Sequence, residues 1–368
     1  MVKAQAAVLW EAGRPWSVEE IDLAAPGPHD VLVRNEASGL CHSDHHIQAG
    51  DSPAALPIIG GHEGAGVVEE VGSAVTDFAP GAHVVYSFIP SCGRCRWCST
   101  GHQNLCDLGA FLMQGAMGEG PRAQTRGQGL GALSLIGTFA NYSLANEASL
   151  VKVPESLPFA QAALLGCGVP TGWGSAVHVG QVKPGDAVVV VGAGGIGMNA
   201  VQGARLAGAE HVVVVDTAST KRDAAPLFGA THTAASMEEA VSLLSDLTRG
   251  VMADVGILTV GKVEGAMIAP FLELVSKNGV GVLTGVGHGS DVALDLKVFT
   301  LWQKQLRGNI YGGCNPWADI PRLIRLYESG LLKLDELVSA VYPLEEINQG
   351  YADMLDGKNI RGVVEHRH

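Results

Sequence analysis

The stretch AVVVVGAGGIG (187–197) constrains this chain more than any other. A valine run with no polar alternation suits a strand buried on both faces, as in a parallel sheet. It leads directly into Gly192, Gly194 and Gly197, spaced G-x-G-x-x-G with Gly195 and Ile196 between the last two. A small-residue helical pattern, NAVQGARLAGA, follows, and a second apolar run ends at Asp216, nineteen residues past Gly197. In a chain with 49 glycines the spacing alone would say little. Strand, turn, helix and strand in this order make a βαβ unit. The first glycine makes the turn, the second lets backbone approach a pyrophosphate at a helix N-terminus, and the third lets helix and strand pack closely. Asp216 would accept hydrogen bonds from adenosine ribose hydroxyls and repel a 2′-phosphate, so NAD(H) is expected over NADP(H).

The rest of the chain is read around this unit. ADVGILTV (253–260) and GVGVLTGVG (279–287) are further continuous apolar strands, so the parallel sheet extends. At 368 residues the chain exceeds one ordinary core, and two domains are expected. The predicted fold class is α/β: a doubly wound Rossmann domain over 169–305, and a mostly-β domain from 1–168 and 306–368. Residues 61–72 and 82–88 read as strands of the second domain. Residues 318–330 and 344–357 read as helices before a final strand, IRGVV. Between 89 and 137 the pattern dissolves into Cys, Gly and polar residues, which suggests a metal-stapled lobe. A net charge of −13 argues against nucleic acid or an anionic membrane as partner. With no signal-peptide pattern and no apolar run long enough to span a bilayer, a cytoplasmic location is expected. The seven cysteines should then serve metal or catalysis rather than disulfides.

Cys92, Cys95, Cys98 and Cys106 stand as C-x2-C-x2-C-x7-C. Four thiolates can close a tetrahedral zinc shell with no position left for water, which makes a structural site. An iron–sulfur cluster is the main rival, and a zinc ribbon is another. GLCHSDHHIQAG (39–50) crowds Cys41 together with three histidines and an aspartate. Cys41 has no nearby cysteine partner. His62–Glu63 and Cys167 are candidate companions, since one histidine and two cysteines fit a catalytic zinc with an open fourth position. Each alone has a plainer reading, as a buried small hydrophobe or a satisfied histidine.

GHEGAGVVEEVG, the four-cysteine lobe, LLGCGVPTGWG, the dinucleotide fingerprint and the terminal IRG occur in an order that resembles the zinc-dependent medium-chain alcohol dehydrogenases, over essentially the whole chain. YSFIPSCGRCRWC and GAGGIGMNAVQGARLAGA are most similar to the actinobacterial nitrosodimethylaniline-dependent members. The resemblance implies a GroES-like first domain and two Zn2+ per chain. It also implies an alcohol interconverted with its aldehyde or ketone by hydride transfer with NAD(H). In the actinobacterial group the cofactor is held tightly and recycled in place, with a mycofactocin-type acceptor. Position by position, Cys41, His62 and Cys167 resemble the catalytic zinc ligands. Glu63 resembles the carboxylate that approaches the metal, and Asp44 the group that orients the histidine. Ser43 and His46 resemble the proton relay. His42 and Arg361 fall at the cofactor pyrophosphate, Thr171 near the nicotinamide and Lys221 at the adenosine ribose. Phe88 and Phe139 resemble pocket walls. RGNIYGGC resembles the edge strand of family dimers, so a homodimer or homotetramer is expected, with Cys314 there as a plain buried thiol. The alternatives are a glutathione-type formaldehyde dehydrogenase and a zinc-free NADPH reductase of the same fold. The former is disfavoured because no basic residue follows Cys106 before Arg122.

Overall fold

In the computed structural model, residues 1–116, 120–287 and 291–368 are described. Two compact units form: Met1–Cys167 with Asn315–Arg325 and Leu334–His368, and Gly168–Cys314 with Leu326–Lys333. Residues 306–314 and Leu326–Lys333, all expected with the first domain, thus fall in the second. Leu326–Lys333 is tied to helix Gly195–Leu206 by the Gln202 side-chain amide, which bonds the Lys333 backbone. For 306–314 the cause is strand Gln305–Gly308, which extends the parallel sheet one strand further by pairing with Val275–Leu283.

In the first unit, Val2–Leu9 and Ser17–Leu23 pair antiparallel. They close into a barrel with Ile58–Ile59, Gln128–Ala132 and Ala123–Thr125. The period of two is visible in what each residue touches. Ala4, Ala6 and Val8 pack with Ile21, Leu23 and Leu130. Ala7 and Leu9 turn the other way, onto Trp16, Leu40 and Phe139. The expected lobe therefore ends before 123, because its last part is a short hairpin that completes the barrel.

The second sheet of this unit positions the site. Its strands run in the order Leu150–Lys152, His83–Tyr86, Gly64–Val71, Asp30–Gly39, Arg361–Glu365 and Val338–Pro343, with Tyr142–Asn146 also paired to Asp30–Gly39. Asp30–Gly39 ends two residues before Cys41. Gly64–Val71 begins directly after Glu63, and Ser38 pairs with Gly64. Gly39 pairs with Val363, which brings in the start of the last strand. Three distant stretches thus converge on one sheet end.

The second unit is built on six strands in the order His232–Ala234, His211–Val215, Ala187–Val191, Ala253–Leu258, Val275–Leu283 and Gln305–Gly308, every pairing parallel. Val188, Val189 and Val190 are fully buried, as the unbroken valine run demands. Helix Gly195–Leu206 follows the glycine turn, with Gly194 at its N-cap. Among the described residues no helix is long and apolar enough to cross a membrane.

Candidate active site and metal centres

Cys41 caps helix His42–Ala49 in extended backbone, so its thiol stands at the junction of sheet and helix. Asp44, in the first helical turn, is completely buried. Its Oδ1 accepts a hydrogen bond from the Gly61 amide at 3.1 Å. Its Oδ2 lies 2.9 Å from Nδ1 of His62. This contact fixes the imidazole and leaves His62 Nε2, also buried, without a hydrogen-bond partner. One ligand atom each from Cys41, His62, Glu63 and Cys167 lies within 4.8 Å of the others, and all four residues are buried. The segment ending at Cys167 contributes the second sulfur, following helix Phe159–Leu164.

The charges around this cluster are strongly coupled. A hydrogen bond from Cys167 holds the Cys41 thiol well below its ordinary range against burial, with His62 assisting. The same contact, together with burial, pushes Cys167 well up. Burial opposes a charge on His62, yet Asp44 and Cys41 beside it raise the imidazole well above the usual histidine range. Burial raises the Asp44 carboxyl, with His62 opposing. Burial also pushes Glu63 up to about 7, against the pull of Arg361. The Arg361 guanidinium donates to Glu63 Oε2, while Glu63 Oε1 has no partner. Two sulfurs, an unpartnered imidazole nitrogen and an unpartnered carboxylate oxygen turned to one point are a donor set suited to zinc. Removing one member of the buried Glu63–Arg361 pair would cost about 3–5 kcal/mol.

Of the two relay candidates, Ser43 has a contact with this cluster. Ser43 Oγ is 3.8 Å from Cys41 Sγ. His46 is 5% exposed, and its Nδ1 lies 3.2 Å from Asp51 Oδ2. His42 is exposed at the helix start. The Phe88 ring meets His62 edge-on, with centroids 5.7 Å apart. Phe139 is fully buried, packed edge-on to Trp16 and Tyr351. Arg361, expected at the pyrophosphate, is buried and donates from one guanidinium nitrogen to Glu63 Oε2, a counter-charge that a charge inside the unit needs, while its Nε has no hydrogen-bond partner.

The four cysteines form a second centre. Cys95 caps the short helix Arg96–Ser99. The Cys92–Cys98 and Cys95–Cys106 sulfurs are each 4.0 Å apart. Tetrahedral zinc–sulfur bonds of about 2.3 Å would set sulfurs about 3.8 Å apart, so the shell is nearly preformed. Backbone amides point at the sulfurs: Cys95 N to Cys92 at 3.3 Å, Cys92 N to Cys106 at 3.5 Å and Cys98 N to Cys95 at 3.5 Å. The backbone hydrogen bond from Asp107, then that from Cys98, brings Cys95 down to about 6. Burial pushes Cys98 up to about 12.

In the second unit, an alanine at Gly197 would drive its Cβ into the Gly192 carbonyl oxygen, whereas Gly194 has open space where its Cβ would be. Helix and strand thus touch, while the backbone at Gly194 can be approached, as a phosphate cradle requires. Asp216 Oδ2 accepts from Ala193 N at 2.8 Å and Oδ1 from Ala218 N at 2.9 Å, tying the second strand to the glycine turn. Lys221 lies half-buried on helix Ser219–Ala224. The buried Thr171 hydroxyl has no partner. Cys314 is a buried thiol, its sulfur 3.3 Å from the Pro170 carbonyl.

Sequence reasoning missed three contributors. Thr138 donates to the Glu63 carbonyl at 2.8 Å. Tyr351, whose buried hydroxyl has no hydrogen-bond partner, stacks on His45. Asp51 lies against His46. Only Asp51 left a signal, as a carboxylate just beyond a histidine-rich helix.

Comparison with known proteins agrees with this geometry. Residues 27–155 match the family described as alcohol dehydrogenase GroES-like domain. Residues 195–329 match the zinc-binding dehydrogenase family. The chain is 50% identical to alcohol dehydrogenase B of Mycobacterium tuberculosis H37Rv, over 99% of this chain and 98% of that one. It is 48% identical to the NDMA-dependent alcohol dehydrogenase of Amycolatopsis methanolica, over 99% of each. Among solved structures, an alcohol dehydrogenase zinc-binding domain protein from Burkholderia ambifaria superposes with a TM-score of 0.94 at 34% identity, covering both chains fully. Benzyl alcohol dehydrogenase from Acinetobacter calcoaceticus gives 0.93 at 28%, again over both whole chains.

Proposed function

The chain belongs to the zinc-dependent alcohol dehydrogenases, and from that premise we propose how its own residues work: as an NAD(H)-using enzyme with two zinc centres and a tightly held cofactor. The observation that carries this reading is the convergence of Cys41, His62, Glu63 and Cys167 within 4.8 Å around an unpartnered His62 nitrogen. When bound, zinc supplies the Lewis acidity that makes an alcohol hydroxyl acidic near neutral pH, and NAD+ supplies the hydride acceptor. Cys41, His62 and Cys167 would hold the metal. Their sulfur charge offsets that of the ion in a dry site. Asp44 keeps His62 Nδ1 occupied, so Nε2 is presented. Glu63 is a reserve ligand held back by Arg361. Ser43 takes the hydroxyl proton, and His46 passes it outward. Gly194 admits the pyrophosphate, His42 and Lys221 contact the cofactor, and the lone pairs left on Asp216 accept its ribose hydroxyls.

Arg122, the first basic residue after Cys106, is engaged with Asp30, which disfavours a glutathione carboxylate as substrate handle. Strand Gln305–Gly308 is an edge, a place for a second copy to join into a dimer or tetramer. The acceptor that reoxidises the cofactor is of the mycofactocin type, and the protein works in the cytoplasm. Native mass spectrometry of the purified protein, paired with a nitrosodimethylaniline-coupled alcohol assay, tests the whole. Two zinc ions and one nicotinamide per chain, with turnover, are expected. One zinc or none, with NADPH-dependent reduction, would replace this reading with the zinc-free reductase.

A further inference from the structure

His46 is held by a fold-back of the chain. Helix His42–Ala49 stops at Gly50, whose φ of 85° is a left-handed conformation that a side chain would strain. The turn is tight. Gly50 N bonds Ile47 O at 3.1 Å, and Ser52 N bonds His46 O at 3.0 Å. This return places the Asp51 carboxylate on the imidazole, with Oδ2 3.2 Å from Nδ1. The two side chains differ in exposure: 6% for His46 and 30% for Asp51. The neighbouring His45 is engaged elsewhere, near Gln48 and stacked on Tyr351.

An ionised carboxylate only accepts hydrogen bonds, so the ring nitrogen facing it must carry the proton. The opposite nitrogen, Nε2, is then the one with a lone pair. We propose that Asp51 is the positioning residue of His46: it fixes the Nδ1–H tautomer, leaves Nε2 as the proton acceptor, and balances the imidazolium once it forms. This deepens the reading of His46 as the relay and rests on it. In this role Asp51 acts through His46 and not on the reacting atoms.

The test uses the purified holoprotein labelled with 15N-histidine. Long-range proton–nitrogen correlation distinguishes the two neutral tautomers, and His46→Gln identifies the His46 signals. The wild-type protein shows His46 protonated at Nδ1. In Asp51→Asn the amide can donate to Nδ1, and the ring moves to the Nε2–H form. The kcat for alcohol oxidation falls roughly ten- to a hundredfold, the range typical for lost orienting partners, with KM nearly unchanged. Asp51→Glu recovers most of both. Asp51→Asn added to His46→Gln brings no further loss, because Asp51 acts only through His46. An unchanged tautomer in Asp51→Asn, or losses that add in the double variant, overturns the proposal. If the wild-type protein oxidises no alcohol while the tautomer still follows residue 51, the functional reading fails and the positioning stands.

Discussion

The two cysteine centres are built in opposite ways. The lobe centre takes all four sulfurs from Cys92 to Cys106, and neighbouring backbone amides donate to three of them. Its geometry is a property of a short segment. The buried centre draws Cys41, His62 and Cys167 from separate stretches. Side chains support it, with Asp44 on the imidazole and Arg361 on Glu63. A local centre can help make the fold, whereas a dispersed one exists only after the fold is made. The first suits a structural staple. The second suits chemistry, because each supporting side chain can tune charge at a distance from the reacting atoms.

Substitutions should separate the two. The largest effect is expected for Cys41→Ala: alcohol oxidation falls on the order of a thousandfold or more, since several kcal/mol of Lewis-acid assistance is lost. Its melting temperature should change little beside that of a lobe variant. Steady-state kinetics with an artificial acceptor and a thermal melt give both numbers. A Cys41 variant that unfolds as readily as a lobe variant would erase the distinction.

The next effect is on stability. Cys98→Ala should cost ~3 kcal/mol or more, because structural metal binding contributes directly to folding. Limited proteolysis should then cut first between 92 and 116, within the lobe. If this variant kept its melting point but lost turnover, the two centres would have exchanged roles.

The smallest effect concerns pH and the metal-free protein. Glu63 is raised from its ordinary range to about 7, by burial first, with Arg361 opposing. Below the unfolded carboxyl pKa it is protonated in both states and affects nothing. As pH rises from there to about 7, only the unfolded chain releases the proton, so folding stability falls, by roughly 3 kcal/mol in all. Glu63→Gln should flatten that slope in chelated protein followed by denaturant unfolding. The lobe centre has no carboxylate among its ligands, and Cys98→Ala should leave the slope in place.

Legibility in the sequence followed the same division. The valine run, the glycine spacing and the four-cysteine spacing are local, and each was readable because its chemistry needs neighbours in the chain. The barrel-closing hairpin over 123–132 was not readable. Ala123–Thr125 is only three residues long and pairs with Asp22 and Leu23, about a hundred positions away, and Gln128–Ala132 carries two glycines and pairs with Ile58 and Ile59. The strand Val338–Pro343 was missed because it carries little of the alternation expected, with a half-exposed face. The contact of Arg361 with Glu63 is not legible, because no pattern along the chain joins positions 298 apart. The Asp51 contact depends on a left-handed turn at Gly50, which sequence alone does not place over a particular ring.

The tie between Glu63 and Arg361 spans 298 positions and enters with the last strand of the chain. On the ribosome, Cys41, His62, Glu63 and Cys167 are therefore all synthesised long before Arg361. Until the final strand emerges and docks beside Asp30–Gly39, Glu63 has no cation to hold it. A chain that stopped short of Arg361 would carry Cys41, His62, Glu63 and Cys167 and still leave an unbalanced acid in the interior of the unit.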